Sequence, residues 1–334
     1  MSSLPSFITL EEHFTSQASA KFYGSKAPSF GPALAPKLSS ISTSRITDMD
    51  AGDVGRQILS HTPFISDPSP ALCTAINDEL HAAVSAHQDR FSGFASLPMA
   101  EPRAAATELT RTVKELGFVG TLVDAHSEGV FYDGPEWDIF WETAQELDVP
   151  VYLHPCFASD EMMRINYRGN YGEDVAISLG AFVFGWHAET GLHFLRLLAA
   201  GVFDRFPRLK IVLGHMGELL PFMMKRQEAA TSRWSHLKRP LREVWRANVW
   251  VTTSGMFDTS PLELLLKVSP PDHVLFSIDY PFSDNKMGKK FVDDIEKQGL
   301  LKGDELAAFV HGNAAKLLKI EERNGMNDQE HVQG

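Results

Sequence analysis

The sequence predicts an α/β fold in which eight parallel strands alternate with helices and close into a (β/α)8 TIM barrel. Three observations carry this prediction. Short β-branched or aromatic runs recur eight times between longer helical patterns, the order expected of βα units. Four of those runs end in acid, base or metal-competent side chains, at the strand ends where this fold gathers its functional groups. The 334 residues suit one barrel with insertions, which commonly takes about 250 residues or more, so 1–334 is read as a single domain. An open doubly wound sheet is the alternative, but no Gly-rich nucleotide loop follows the first strand.

The first strand is 7–14, Phe-Ile-Thr-Leu-Glu-Glu-His-Phe. Glu11 and His13 are two apart in it and share a face. The insertion 15–44, rich in Ser, Ala, Pro and Gly, is expected to lie over the barrel mouth and cover a substrate, a passive surface excursion being the alternative. Within it Phe22 and Tyr23 are candidate substrate-binding rings, with anchoring of the loop as the alternative role.

Strands two to four are 56–61, 91–97 and 118–124. A helix over 102–116 places Ala105, Leu109, Val113 and Leu116 on one stripe and stops at Gly117. The fifth strand, 149–154, ends in His154, and a second insertion follows at 157–181. The helix over 189–200 repeats the spacing at Leu192, Leu195 and Leu198 and stops at Gly201. His215 ends the sixth strand, 210–215, and Arg226 in the next helix is a candidate for a substrate carboxylate, a surface or interface ion pair being the alternative. Strands seven and eight are 249–254 and 273–279, the last ending in Asp279, and the polar tail 324–334 is expected to fray.

Composition narrows the function. A net charge of -12, from 31 Lys and Arg against 43 Asp and Glu, argues against a nucleic-acid partner. The two cysteines, Cys73 and Cys156, cannot build a disulfide framework and fit a reducing compartment. Without an evident base, Cys156 reads as a buried spectator. No run approaches the roughly eighteen apolar residues of a membrane span, and the N-terminus reaches Glu11 before a signal-type core develops, so a cytoplasmic protein is expected.

Glu11, His13, His154 and Asp279 offer two imidazoles and two carboxylates, a set suited to Zn²⁺ and also to Mn²⁺. The fourth strand carries no Lys that could be carbamylated to bridge two ions, so one metal is expected.

Several ordered motifs carry a resemblance. They are Leu10-Glu11-Glu12-His13-Phe14, Leu116-Gly117-Phe118-Val119-Gly120, Val151-Tyr152-Leu153-His154-Pro155, Glu189-Thr190 with His193, Leu213-Gly214-His215-Met216-Gly217-Glu218, Thr252-Thr253-Ser254-Gly255 and Phe276-Ser277-Ile278-Asp279-Tyr280-Pro281-Phe282. From the first strand to about Leu317 the chain resembles the amidohydrolase-related decarboxylases, and within them the ortho-hydroxybenzoate branch acting on γ-resorcylate, 2,3-dihydroxybenzoate and salicylate. The 15–44 loop does not match that pattern.

The resemblance implies a reversible, non-oxidative decarboxylation of a small aromatic acid. It implies that Glu11, His13, His154 and Asp279 hold one divalent ion, Zn²⁺ first, with Mn²⁺ or Mg²⁺ as alternatives. Asp279 then protonates the ring, His215 orients or polarises it, and Glu218 fixes the His215 tautomer. It also implies a homodimer or homotetramer. A metal-dependent lactonase-type hydrolase and a non-catalytic barrel are the competing readings. His193 is expected to be structural, Glu189 a buried hydrogen-bonding partner and His187 an orienting or packing residue.

Overall fold

The computed structural model describes residues 4–24, 31–63 and 67–320. The apolar runs form eight strands: β1 (Phe7–Phe14), β2 (Val54–His61), β3 (Phe91–Ala95), β4 (Gly120–Asp124), β5 (Pro150–His154), β6 (Lys210–Leu213), β7 (Val249–Thr252) and β8 (Val274–Leu275). They pair in parallel and in chain order, β1 to β8. A parallel bridge between Glu12 and Tyr280 brings the chain after β8 back to β1 and closes the (β/α)8 barrel.

Alternation along the strands divides the core in two. Ile8, Leu10, Ile58, Phe94, Leu122, Tyr152, Val212 and Leu275 form one cluster with Ala314, Leu317 and Leu318. Their strand neighbours, among them Leu59, Phe91, Val123, Val151, Leu153, Ile211, Leu213 and Val251, pack into a larger cluster with residues of the helices. Strands buried on both faces must be apolar almost throughout, which is why these runs are continuous rather than alternating.

Several strands stop earlier than the sequence suggests. β6, β7 and β8 end at Leu213, Thr252 and Leu275, short of His215, Ser254 and Asp279. Those three residues have φ of 46°, 33° and 66°. A residue in the left-handed region cannot continue a strand, so the polar residue that ends each run sits on a bend. The helix Pro102–Lys114 ends just before Gly117, whose φ of 70° reverses the chain. The helix Gly185–Ala199 starts four residues before the predicted 189.

The described residues of the 15–44 insertion are largely helical where the composition suggests a loop. They form helices Gln17–Tyr23 and Gly31–Leu38 and the start of Thr43–Asp50. Gln17 and Ala18 donate their N–H groups to Glu79 on the helix Pro70–Ala86, which docks this segment on the barrel's outer layer. The 157–181 insertion runs through short helical turns, Asp160–Met162, Met163–Tyr167 and Glu173–Ser178, into Leu179–Val183. The expected frayed tail, 324–334, lies outside the described residues. Among the described residues no helix is long and apolar enough to cross a membrane.

Candidate active site

β1 delivers Glu11 and His13 to the mouth on one face, both fully buried. β5 brings His154, and the bends after β6 and β8 bring His215 and Asp279. Their donor atoms converge. Glu11 Oε1 lies 3.0 Å from His154 Nε2, 3.5 Å from His215 Nε2 and 3.9 Å from His13 Nε2. His13 Nε2 is 3.4 Å from Asp279 Oδ1, and His215 Nε2 is 3.9 Å from Asp279 Oδ2. Around an ion with bonds of about 2.1 Å, neighbouring donors sit about 3.0–3.4 Å apart, close to this spacing.

Two of these buried atoms, Glu11 Oε1 and His13 Nε2, make no hydrogen bond of ordinary geometry. Buried polar atoms left unpaired cost free energy, and a cation between them would satisfy both. The outer partners agree. His154 Nδ1–H donates to Pro155 O at 2.6 Å, leaving its Nε2 lone pair aimed at Glu11. His13 Nδ1 meets Ser60 Oγ at 3.3 Å. The residues therefore fit a divalent ion held by Glu11, His13, His154 and Asp279.

Electrostatics follow from this crowding. Burial raises the Glu11 carboxyl, but the His215 and His154 imidazoles outweigh it and hold Glu11 well below the ordinary value. Burial lowers the His13 imidazole, but Asp279 and Glu11 outweigh it and push His13 up to about 9. His215 is likewise raised, against burial, by Glu11 and Glu218. Burial raises the Glu12 carboxyl against the pull of the Ile278 and Tyr280 N–H groups, while every hydrogen-bond partner it has is a donor, the surroundings of a carboxylate.

Beside the metal set lies a second polar group. Glu218 forks between two imidazoles, accepting from His215 Nδ1 at 2.8 Å and His187 Nδ1 at 2.7 Å. The backbone that allows this is unusual. His215, Met216, Gly217, Glu218 and Leu219 have φ of 46°, 58°, 87°, 52° and 65°, a continuous left-handed run. Gly214, just before it, is needed for space, because a Cβ there would fall 2.7 Å from Glu11 Oε2.

A cavity of about 470 Å³ opens above these groups. His13, His154, His187, His215 and Asp279 line it beside Phe157, Ile177, Phe182, Trp186, Met256 and Phe282, and among the described residues no lysine or arginine joins the lining. Polar groups facing aromatic walls suit a flat aromatic ligand with oxygen substituents.

The structure thus gathers Glu11, His13, His154, His215, Glu218 and Asp279, but not the three candidate substrate contacts. Phe22 is 59% exposed and packs edge-on against Tyr23 with ring centroids 5.1 Å apart, on the helix docked to the outer layer. Arg226 is exposed on the helix Leu220–Thr231. None of the three lines the cavity, which the second insertion lines through Phe157, Ile177 and Ala181.

His193 is structural, its Nε2 accepting the Tyr132 N–H at 3.3 Å. Glu189 meets His126 Nε2 at 3.3 Å and Tyr167 Oη at 2.5 Å. Cys156 lies 3.6 Å from His126, yet His126 Nδ1 accepts the Gly129 N–H and Nε2 is committed to Glu189, so no lone pair remains to activate the thiol. Burial also raises the Cys156 thiol well above its ordinary value.

Sequence reasoning missed Tyr152 and Arg45. The Tyr152 hydroxyl, kept neutral by burial and the Glu11 charge, donates to Glu11 Oε2. Arg45, fully buried, donates to the His13 carbonyl, to Ser40 O at 2.8 Å and to Gln57 Oε1 at 3.2 Å. A buried Arg in a polar segment gives no periodic signal. Tyr152, though, precedes His154 by two residues and shares its face.

Comparison with known proteins agrees with the geometry. Decarboxylase orsB of Emericella nidulans is 44% identical over 327 residues, covering 95% of this chain and 98% of that protein. Gamma-resorcylate decarboxylase of Polaromonas sp. is 40% identical over 333 residues, covering 94% and 98%. The crystal structure of a dihydroxybenzoic acid decarboxylase from Polaromonas sp., with bound manganese and the inhibitor 2-nitroresorcinol, superposes with a TM-score of 0.85 at 33% identity over 96% of this chain and 98% of that one. Residues 37–320 match the amidohydrolase family, and with its barrel and its cluster of histidines and carboxylates at the strand ends, the chain belongs to that family.

Proposed function

We propose that the protein is a divalent-metal-dependent carboxy-lyase that removes CO₂ from an ortho-hydroxybenzoate. The observation that carries this is the cluster of Glu11, His13 and His154, with Asp279 Oδ1 3.4 Å from His13 Nε2, under an aromatic-walled cavity. The relatives named for decarboxylation of resorcylate-type acids support it. A bound ion would act as a Lewis acid toward the phenolic and carboxylate oxygens of the substrate.

The protein's own groups supply the remainder. Phe157, Trp186 and Phe282 hold the ring and exclude water. Asp279 delivers a proton to the ring carbon bearing the carboxylate, and CO₂ leaves as the C–C electrons return to the ring. His215 Nε2, 3.9 Å from Asp279 Oδ2, orients that carboxyl, and Glu218 fixes the His215 tautomer.

The ion is taken as Zn²⁺ on its two-imidazole, two-carboxylate donor set, with Mn²⁺, bound in the Polaromonas structure, as the competitor. A homodimer or homotetramer is proposed on the exposed apolar residues Phe182, Val183, Phe184 and Phe222. A cytoplasmic location is proposed on the two unpaired buried cysteines.

The test is turnover of salicylate, 2,3-dihydroxybenzoate, 2,6-dihydroxybenzoate and 4-hydroxybenzoate, with metal analysis and light scattering on the same sample. CO₂ release is expected only from acids with an ortho hydroxyl, with about one ion per chain. Equal turnover of 4-hydroxybenzoate would sink the substrate assignment.

A further inference from the structure

The seam where the barrel closes is held differently from its other strand pairs. Between β1 and the chain after β8, pairing reduces to the Glu12–Tyr280 bridge, with the His13 N–H donating to Tyr280 O at 2.6 Å. Side chains make up the difference. Ser277 Oγ accepts the N–H groups of Leu10 at 3.1 Å and Glu11 at 2.8 Å. With both lone pairs engaged, its hydroxyl donates to Glu12 Oε1 at 3.2 Å.

Glu12 returns the exchange. Its Oε1 accepts the Ile278 N–H at 3.1 Å, and its Oε2 accepts the Tyr280 N–H at 3.2 Å and Gln57 Nε2 at 3.3 Å. Those two backbone donors belong to the residues on either side of Asp279. Asp279 has φ of 66°, a conformation a non-glycine residue keeps only when its surroundings impose it. Glu12 points away from the Glu11 and His13 face by strand alternation, so it is unavailable to the ion. It is fully buried, with its oxygens spent on the peptide groups flanking Asp279.

We propose that Glu12, seconded by Ser277, is a positioning residue for the reaction: it clamps the turn around Asp279 and so aims that carboxyl at the ion and the ring. The inference rests on the assignment of Asp279 made under the proposed function. It differs from plain barrel closure because it ties Glu12 to metal affinity and kcat, not to folding alone.

The experiment compares the full-length wild type with Glu12→Gln, Ser277→Ala, Ser277→Thr and Asp279→Asn. Circular dichroism reports the fold, the signal of free Mn²⁺ in electron paramagnetic resonance reports affinity, and kcat and KM for 2,6-dihydroxybenzoate are read at saturating Mn²⁺. Glu12→Gln puts an amide NH₂ where an acceptor stood, so at least one flanking N–H loses its partner. It should fold, bind Mn²⁺ about 10-fold more weakly and lose about 10- to 100-fold in kcat with KM little changed. Ser277→Ala should move both quantities the same way by less, and Ser277→Thr, which keeps the hydroxyl, should restore them.

Wild-type Mn²⁺ affinity and kcat in Glu12→Gln, with Asp279→Asn inactive, would overturn the proposal. Should Glu12→Gln fail to fold, unchanged affinity and kcat in Ser277→Ala overturn it equally. Full activity in metal-loaded Asp279→Asn would instead overturn the assignment of Asp279, whatever Glu12 does.

Discussion

Replacing Tyr152 by Phe removes one oxygen atom from beneath the site and leaves the packing intact. Tyr152 is fully buried on β5, and its hydroxyl donates to Glu11 Oε2 while meeting Thr252 Oγ1 at 2.7 Å and Ser254 Oγ at 3.0 Å. The ring keeps its volume, so no large cavity forms. A hydrogen bond to a charged group contributes about 1.5–3 kcal/mol. Thr252 and Ser254 already pair with each other at 2.5 Å, which recovers part of the loss. The expected destabilisation is therefore about 2 kcal/mol. A second effect falls on the ion. Without its outer partner Glu11 can rotate, and loss of such a partner costs about 10- to 100-fold in metal affinity. Urea unfolding of the metal-free protein and Mn²⁺ titration measure the two effects separately. A variant that is destabilised yet binds Mn²⁺ like the wild type would refute the claim that Tyr152 holds Glu11 for the ion.

Other outcomes follow from the same geometry. His154→Ala combined with Asp279→Ala should abolish metal retention through dialysis, and one tightly held ion per chain in that variant would show the ligand set to be wrong. Asp279→Asn should lose about 10²–10⁴-fold in single-turnover decarboxylation, as removal of a proton donor does, whereas Glu218→Gln, which disturbs only the orientation of His215, should lose about 10-fold. Comparable losses would remove the distinction. Burial, reinforced by His126 and Arg196, holds His193 down to about 3. Its unfolded value is about 6.5, so between the two the unfolded chain binds the extra proton. The resulting stability is whole above about pH 6.5 and is lost as pH falls toward 3, amounting to about 2 kcal/mol between pH 7 and 5. His193→Gln should flatten that part of the urea-derived pH profile; an unchanged slope would assign it elsewhere.

What the sequence revealed about this fold was its periodic content. Eight runs buried on both faces are continuous and apolar, so their number and order are visible, as are the Glu11, His13 and His154 endings that remain within strands. The endings that leave the strands were read as strand residues, because a left-handed φ at His215, Ser254 or Asp279 has no compositional mark when the residue is not glycine. The helices of the 15–44 segment are hidden for a related reason. Its Ser, Pro and Gly content suggests a loop, yet the helix Thr43–Asp50 places Arg45 against the His13 carbonyl, a contact set by tertiary packing alone. Phe22, Tyr23 and Arg226 are candidates by residue type, and type does not encode which way a helix faces.

The left-handed run from His215 to Leu219 also bears on how this protein can be improved or can drift. Each of its non-glycine residues carries a conformational penalty of about 1–3 kcal/mol that the rest of the barrel must absorb. Leu219 is 47% exposed and touches none of the proposed chemistry, so glycine there would relieve strain at no catalytic cost. Glycine at His215 or Glu218 would relieve as much and erase the fork of imidazoles. Selection for heat resistance and selection for turnover therefore part company within five residues. A thermostable descendant of this chain that kept its activity would be expected to change Leu219 first and to leave His215 and Glu218 untouched.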